Sequence, residues 1–262
     1  NYHDIKNNID WEKRKKKLIK LCDKYRKKKG YDCIVPGSGG KDSAFASHLL
    51  KYKYGMNPLT VTWAPHMYTD IGWKNFTNWI HVGGFDNFLF TPNGRVHRIL
   101  TKNATQNLLH PFQPFIIGQK TFVVKMAIRL NIPLVFYGEM PGEYGKKMSH
   151  KLNRFGTKEG NLSQKGFEID PLMGKNYKDV YLGGKKVSEY IDEGLSLNDL
   201  ECYKPADLNL INEKNIKFYF LGYYLRWVPQ ENYYFAVDKI NFKSNEERTE
   251  GTYQKYASID DK

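Results

Sequence analysis

Cysteine is scarce in this chain, with Cys22, Cys33 and Cys202 the three among 262 residues. They form no CxxC pair and no regular framework, which excludes a disulfide scaffold and fits a reducing, cytoplasmic setting. Long apolar runs are lacking as well. Nothing approaches the roughly 18–20 uninterrupted apolar residues of a membrane span, and the basic N-terminus leads into no apolar signal core, so no membrane association is expected. The seven histidines contain no pair with metal-ligand spacing such as H-x-x-x-H beside an acid. His48 and His97 fall within expected helices, and His110 precedes Pro111 in a turn. An initiator Met is missing, and the chain is expected to be a trimmed piece of a longer polypeptide. Acidic residues are outnumbered, with 28 Asp+Glu against 41 Lys+Arg, a net charge of +13. What is present in quantity is apolar and aromatic, at 40% and 15%, enough for a core and unlike a disordered chain.

Eleven of the basic residues lie between Lys13 and Lys29, opposed there by Asp23 alone. Trp11, Leu18, Cys22 and Tyr25 recur through that run at helical steps, the stripe of an amphipathic helix. Two readings stay open: a solvated basic rim, or a surface that attracts phosphates of nucleic acid or of a nucleotide-sugar.

Beyond Gly30, a helix C-cap signal, strands and helices alternate. Strands are expected at 31–35, 59–64, 85–90 and 134–138, and helices at 44–54, 70–82, 96–109 and 115–130. Strands alternating with helices of 10–15 residues indicate an α/β fold, a parallel sheet covered by helices on both faces. From 141 to 185 the rhythm breaks into Gly, Lys and Asn, the composition of a functional lid or insertion. A short helix at 185–193, a strand at 217–224 and a helix from 230 to 240 behind Pro229 follow, and then a polar, aromatic tail from Glu246. The expected division is an N-terminal basic helix (1–30), a nucleotide-binding core (31–140), and an insertion and C-terminal substrate- or partner-binding region packed on the core (141–262).

Ser38-Gly39-Gly40-Lys41-Asp42-Ser43 joins the first strand to the first helix of that core. Its place is the carboxyl edge of the sheet, where open α/β folds bind ligands. Small residues let backbone N–H groups turn inward, and the following helix points its positive end the same way, a nest for phosphate or pyrophosphate. Lys41 adds a fixed charge, and the hydroxyls of Ser38 and Ser43 can donate to phosphate oxygens. Asp42 beside phosphates makes sense chiefly as a metal ligand. A Walker A loop would need Gly at Val35 and Ser or Thr at Asp42, a nucleophile elbow Gly at Pro36, and a dinucleotide fingerprint Gly at Asp42. A tight turn with no ligand is the bland alternative.

The hexapeptide after the first strand resembles the PP-loop of the ATP pyrophosphatase superfamily, whose fold is adenine nucleotide alpha-hydrolase-like. Further blocks extend the likeness: 10–14 (Asp-Trp-Glu-Lys-Arg), 118–120, 137–139 with 143–145, 219–224, and Glu247-Arg248-Thr249-Glu250-Gly251-Thr252-Tyr253. With these the chain is similar to the N-acetyl sugar amidotransferase family of bacterial lipopolysaccharide, flagellar glycan and nonulosonic acid synthesis, over nearly its whole length. One departure is that family members usually begin with a cysteine-rich, zinc-type segment. This chain starts after that block, so a structural Zn²⁺ is possible only in an upstream segment.

The resemblance implies an enzyme that turns a sugar acetamido group into an acetamidino group. ATP adenylates the amide oxygen, pyrophosphate leaves, and ammonia displaces AMP, with Mg²⁺ as the accompanying ion. A sugar or nucleotide-sugar is the implied substrate. Glutaminase- and cyclase-like subunits are the implied partners for ammonia, and nucleic acid is not. On matching positions, Ser38, Gly39, Gly40, Lys41, Asp42 and Ser43 take pyrophosphate, and Thr62 and Trp63 meet adenine through the backbone, unless Trp63 is ordinary core. Glu139 or Glu143 completes a metal site with Asp42, or each is an exposed loop carboxylate. Lys120, beside Gln119, takes a catalytic or phosphate role or is a helix-surface lysine. Arg248, Thr252 and Tyr253 grip sugar or phosphate, or anchor the tail. The alternative is a PP-loop tRNA-modifying enzyme, a thiolase or lysidine-type ligase, which the lack of a cysteine pair at the sheet edge weakens on the thiolation side. A non-catalytic adenine-nucleotide-binding module is the third reading, against which the loop is intact.

Overall fold

In a computed structural model the described residues are 9–138, 161–162, 176–249 and 251–256. Most of the basic run forms α1 (Trp11–Tyr25), started by Asp10, whose carboxylate accepts the Lys13 N–H. The helix ends at the extended C-cap Arg26 rather than at Gly30. Leu18 and Cys22 of its stripe are buried. After it come β1 (Cys33–Pro36), α2 (Lys41–His48) with a π-helical turn through Lys53, and β2 (Pro58–Trp63). The next units are α3 (Asp70–His81), β3 (Asn87–Phe90), α4 (Gly94–Leu108), α5 (Gln113–Arg129) and β4 (Leu134–Tyr137). Thr69 and Asn93 cap α3 and α4 through their side chains, the local signal that sets where each helix begins.

The later elements are shorter. They are β5 (Asn161–Leu162), the hairpin β6 (Tyr181–Leu182) and β7 (Lys185–Lys186), α6 (Val187–Asp192), α7 (Leu197–Leu200) and α8 (Leu208–Glu213). Then β8 (Lys217–Phe220) leads directly into the one-turn α9 (Leu221–Tyr224), and α10 (Pro229–Ile240) follows. The strand expected at 217–224 therefore stops at Phe220. The Gly222 N–H leaves the ladder to bond the Gly138 carbonyl at 2.9 Å, and a short apolar run cannot distinguish strand from helix by its period.

The sheet order is β3-β2-β1-β4-β8-β5. Its first five strands are parallel, and β5 joins β8 antiparallel. This is the α/β parallel sheet that the alternating pattern predicts. Alternation along the strands divides the core into two layers. Cys33 and Val35 of β1 and Leu134 and Phe136 of β4 pack under α1 and α2 with Leu18, Cys22 and Leu50. Ile34, Leu59, Val61 and Val135 face the other way, onto Val123, Val124 and Ala127 of α5. Helices thus cover both faces, and the order reverses about β1, whose flanking strands are β2 and β4. A crevice at the carboxyl ends of β1 and β4 follows from that reversal. Residues 180–203 add a separate cluster, Val180, Leu182, Val187, Tyr190, Leu200 and Tyr203, against Trp63, Val96 and Leu100. Among the described residues no helix is long and apolar enough to cross a membrane.

Candidate functional site

The connection from β1 to α2 enters that crevice. Gly37 donates its N–H to the Val61 carbonyl at 3.1 Å, tying the loop to the end of β2. Gly39 has φ +89°, and a Cβ there would lie 2.5 Å from the Phe76 Cα of α3. Only glycine combines that conformation with that approach. Gly40 is extended and precedes α2, whose first turn has no side-chain cap. The N-cap position thus offers no side chain of its own to the leading N–H groups of α2, an arrangement that favours an anion. Ser38 is half-buried in the loop, and Ser43 Oγ donates to the Gly40 carbonyl at 2.9 Å. From below, the Trp79 indole donates to Ser47 Oγ (2.8 Å), which donates to the Ser43 carbonyl (2.7 Å).

Two charges meet in this loop. The Lys41 ammonium bonds Asp42 Oδ2, and their side chains are 12% and 27% exposed. Asp42 Oδ1 accepts from Asn232 Nδ2 at 3.2 Å, an amide buried on α10. The ammonium also lies 5.3 Å from the Tyr256 ring centroid. Neither Asn232 nor Tyr256 is among the residues expected from the sequence. Asn232 lies on the buried side of α10, and Tyr256 three residues beyond the Glu247–Tyr253 block. That block's neighbourhood was the one available signal.

The other expected site residues are dispersed around this centre. Thr62 is buried on β2, its hydroxyl accepting from Asn87 Nδ2 at 2.9 Å. The Trp63 side chain is core, 5.0 Å from Phe90 and 5.5 Å from Tyr203 between ring centroids. Gly118 of α5 lies directly against its indole. Lys120, two residues further along α5, is half-buried and lies within the helix rather than at its start. Glu139 and Glu143 lie outside the described residues; Gly138, just before them, packs near the Trp227 ring and the Asp42 backbone. Arg248, Thr252 and Tyr253 share one turn, closed by Asn245 N–H to the Lys255 carbonyl and Thr249 N–H to the Gln254 carbonyl. There Arg248 stacks over Tyr253 at 5.5 Å, and Thr252 Oγ1 donates to the Thr249 carbonyl at 3.0 Å. Tyr253 is almost wholly exposed, whereas Tyr256 at the end of the same turn is buried.

None of the three thiols is activated. Burial pushes Cys22 up to about 12 and Cys202 up to about 11, and Cys33, enclosed in β1, well above the usual thiol range. A thiolate nucleophile needs the opposite shift. One buried imidazole stands apart: His97 Nδ1 is 2.6 Å from the Tyr203 hydroxyl, and its other nitrogen is buried without a partner among the described residues. Burial, with His66 beside it, lowers its pKa to about 4. Among the described residues no group of three or more His, Cys, Asp or Glu could hold a metal ion. On the outer face, Arg14 of α1 bonds the Tyr223 carbonyl at 2.8 Å and stacks on the Tyr223 ring at 4.0 Å. Lys13, Lys16, Lys17, Lys20 and Lys24 are exposed, and at about 100° per residue they share a roughly 100° arc of the helix.

No protein-family model matches the chain. A stretch of 53 residues is 45% identical to an uncharacterised protein of Methanocaldococcus jannaschii. That stretch is 20% of this chain, and the chain spans about a fifth (19%) of the length of that curated relative. Among solved structures, the chain is similar to a U34-tRNA thiolase of Methanococcus maripaludis with its [4Fe-4S] cluster, at 11% identity and TM-score 0.43, over 94% of this chain and 68% of that one. It is similar to an NH3-dependent NAD synthetase of Campylobacter jejuni, at 16% identity and TM-score 0.38, over 79% and 92%. An NMN synthetase of Francisella tularensis gives 14% identity and TM-score 0.37, over 79% and 94%.

Proposed function

We propose that this chain is an ATP-dependent, AMP- and pyrophosphate-forming amidotransferase that converts the N-acetyl group of a sugar or nucleotide-sugar to an acetamidino group in the cytoplasm. The observation that carries the ATP chemistry is the loop 38–43: an uncapped helix start, a glycine cradle and a Lys–Asp pair at the point where the strand order reverses. The blocks from Asp10 to Tyr253 that resemble N-acetyl sugar amidotransferases support the choice of acceptor.

The α2 N–H groups, Ser38 and Lys41 hold the β- and γ-phosphates in this reading, with Lys41 exchanging Asp42 for phosphate oxygen. The acceptor's amide oxygen attacks the α-phosphorus, pyrophosphate departs into the loop, and the amide becomes an O-adenylated imidate. Ammonia adds to the imidate carbon, and the carbon–oxygen bond to AMP breaks, leaving a protonated amidine. Asp42 fits a Mg²⁺ site of the usual kind, one or two carboxylates with the rest of the shell from phosphate and water. Bound Mg²⁺ offsets charge on the phosphates, and Glu139 or Glu143 is the second carboxylate in this proposal. The domain roles follow: core 31–140 for ATP, and 141–262 for acceptor and partner, with Arg248, Thr252 and Tyr253 toward the sugar.

Ammonia comes from a partner glutaminase with its cyclase-like subunit, because all three thiols are held protonated. The test is mass spectrometry of an N-acetyl sugar acceptor incubated with ATP, Mg²⁺ and either ammonium or glutamine. A product about one dalton lighter, formed by the isolated chain with ammonium and not with glutamine, is expected from exchange of oxygen for NH. Glutamine-dependent product without a partner contradicts the mechanism.

A second reading, a tRNA-modifying enzyme, is favoured by one observation, the exposed lysine arc of α1. Binding to one tRNA that stays submicromolar at physiological salt supports it. Weak binding that falls steeply with salt is the mark of non-specific phosphate contacts.

A further inference from the structure

We propose that Asn232 and Tyr256 are positioning residues of the nucleotide site: Asn232 retains the Asp42 carboxylate, and Tyr256 offers the Lys41 ammonium a ring face, so that the two charges part when a phosphate ligand arrives. The inference rests on the reading of loop 38–43 as an ATP and pyrophosphate site.

In the structure Lys41 and Asp42 bond each other. A phosphate needs the first and a cation the second, so their pair has to open on binding. Each partner already has a second contact, and both come from the C-terminal part of the chain. Asn232 is 1% exposed, yet it is an amide rather than an apolar core residue, and its Nδ2 donates to Asp42 Oδ1 across 190 residues of sequence. Buried polar groups are kept where a hydrogen bond satisfies them. Here the bond fixes the carboxylate oxygen that Lys41 does not use.

Tyr256 is held independently of Lys41. Its ring stacks on Tyr233 at 4.6 Å and 16°, and its hydroxyl donates to Gln230 Oε1 at 2.9 Å. The ring face is therefore in place whether or not Lys41 remains paired with Asp42, and a partly desolvated ammonium is attracted to it. The segment leading to Tyr256 is anchored too. Asn75, buried on α3, takes the Lys243 N–H on its Oδ1 (2.7 Å) and donates to the Lys243 carbonyl (2.8 Å). α3 also supplies the Phe76 backbone that meets Gly39, so one helix braces both the loop and the chain at Lys243 that leads toward Tyr256.

The test uses inorganic pyrophosphate without metal, titrated calorimetrically against the full chain. Lys41→Ala should weaken binding about 100-fold. Tyr256→Leu should weaken it about tenfold, and Tyr256→Phe, which keeps the ring, should stay within about twofold of wild type. Asn232→Leu should raise the Mg²⁺ concentration needed for half-maximal ATP binding, while Tyr256→Leu leaves that concentration unchanged. If Lys41→Ala binds like wild type, the nucleotide reading itself fails. If Lys41→Ala weakens binding but Tyr256→Leu matches wild type, or Tyr256→Phe is as weak as Tyr256→Leu, the positioning role of Tyr256 is overturned. An unchanged Mg²⁺ requirement in Asn232→Leu overturns that of Asn232. A measurement that needs no core variant is the fluorine NMR signal of 3-fluorotyrosine placed at 256: pyrophosphate should shift it, and an unmoved signal overturns the role of Tyr256.

Discussion

The connections after β1 and after β2 reach the same edge of the sheet, one strand apart, and they treat polar groups in opposite ways. After β1 the chain is small and glycine-rich, and its two charged side chains keep partial access to solvent. After β2 the edge is filled with rings: His66 stacks on Phe115 at 5.4 Å and lies 4.7 Å from His97, which meets Tyr203. An ion pair with some solvent contact can trade partners with a ligand. A buried imidazole beside a second imidazole keeps its neutral form well below the usual histidine range, because burial penalises the charged form. The first connection is built to exchange, the second to hold.

The strongest way to break that contrast is to remove the exchanging charges. Asp42→Ala should cut turnover by about 10²–10³-fold with a smaller change in ATP affinity, the range seen when a transition-state charge contact is lost. Lys41→Ala should act mainly on affinity, about 10- to 100-fold, as charge-assisted hydrogen bonds of roughly 1.5–3 kcal/mol do. Steady-state kinetics separate the two. Unchanged values in both variants would remove ATP from this loop.

The second connection should show itself in pH. His97 is lowered from 6.5 to about 4 in the fold, so between those values the unfolded chain binds the extra proton. Stability from the neutral imidazole is thus complete above 6.5 and lost as pH falls toward 4, by up to about 3 kcal/mol. Urea unfolding of wild type and His97→Gln at pH 7 and pH 4.5 checks the sign: the wild-type advantage should shrink at the lower pH. An advantage that grows on acidification contradicts the locked neutral ring.

A smaller effect is expected at the glycine that lets the first loop approach α3. Gly39→Ala meets both a positive φ and the Phe76 backbone, and should cost about 1–3 kcal/mol in thermal or urea unfolding. A variant as stable as wild type would mean that the loop need not press against α3 at all.

The first connection was legible in the sequence, and the second was not. Strand, glycine loop and helix within 33–48 are consecutive, so their signals are local, and the continuous apolar runs of β1 and β4 already mark strands buried on both faces. The capping residues Asp10, Thr69 and Asn93 mark helix starts in the same local way. Long-range contacts leave no such mark. Asn232 reads as an ordinary helix residue until α10 is placed beside Asp42, and the tail that carries Tyr256 has no periodicity of its own. Trp63 belongs to a core completed by Tyr203, 140 residues later, so its packing could not be read from β2 alone. Leu221–Tyr224 continues an apolar strand in composition, and its helical turn, with Leu225 N–H on the Leu221 carbonyl and Gly222 N–H on the Gly138 carbonyl, shows only in the structure.

The most direct measurement is the identity of the nucleotide products. The chain, ATP, Mg²⁺, ammonium and an N-acetyl sugar acceptor should give AMP and pyrophosphate in equal amounts, with acceptor-dependent turnover that Asp42→Ala suppresses. Formation of ADP and orthophosphate instead, or AMP release unaffected by loss of Asp42, would contradict the assignment of loop 38–43 to adenylating chemistry.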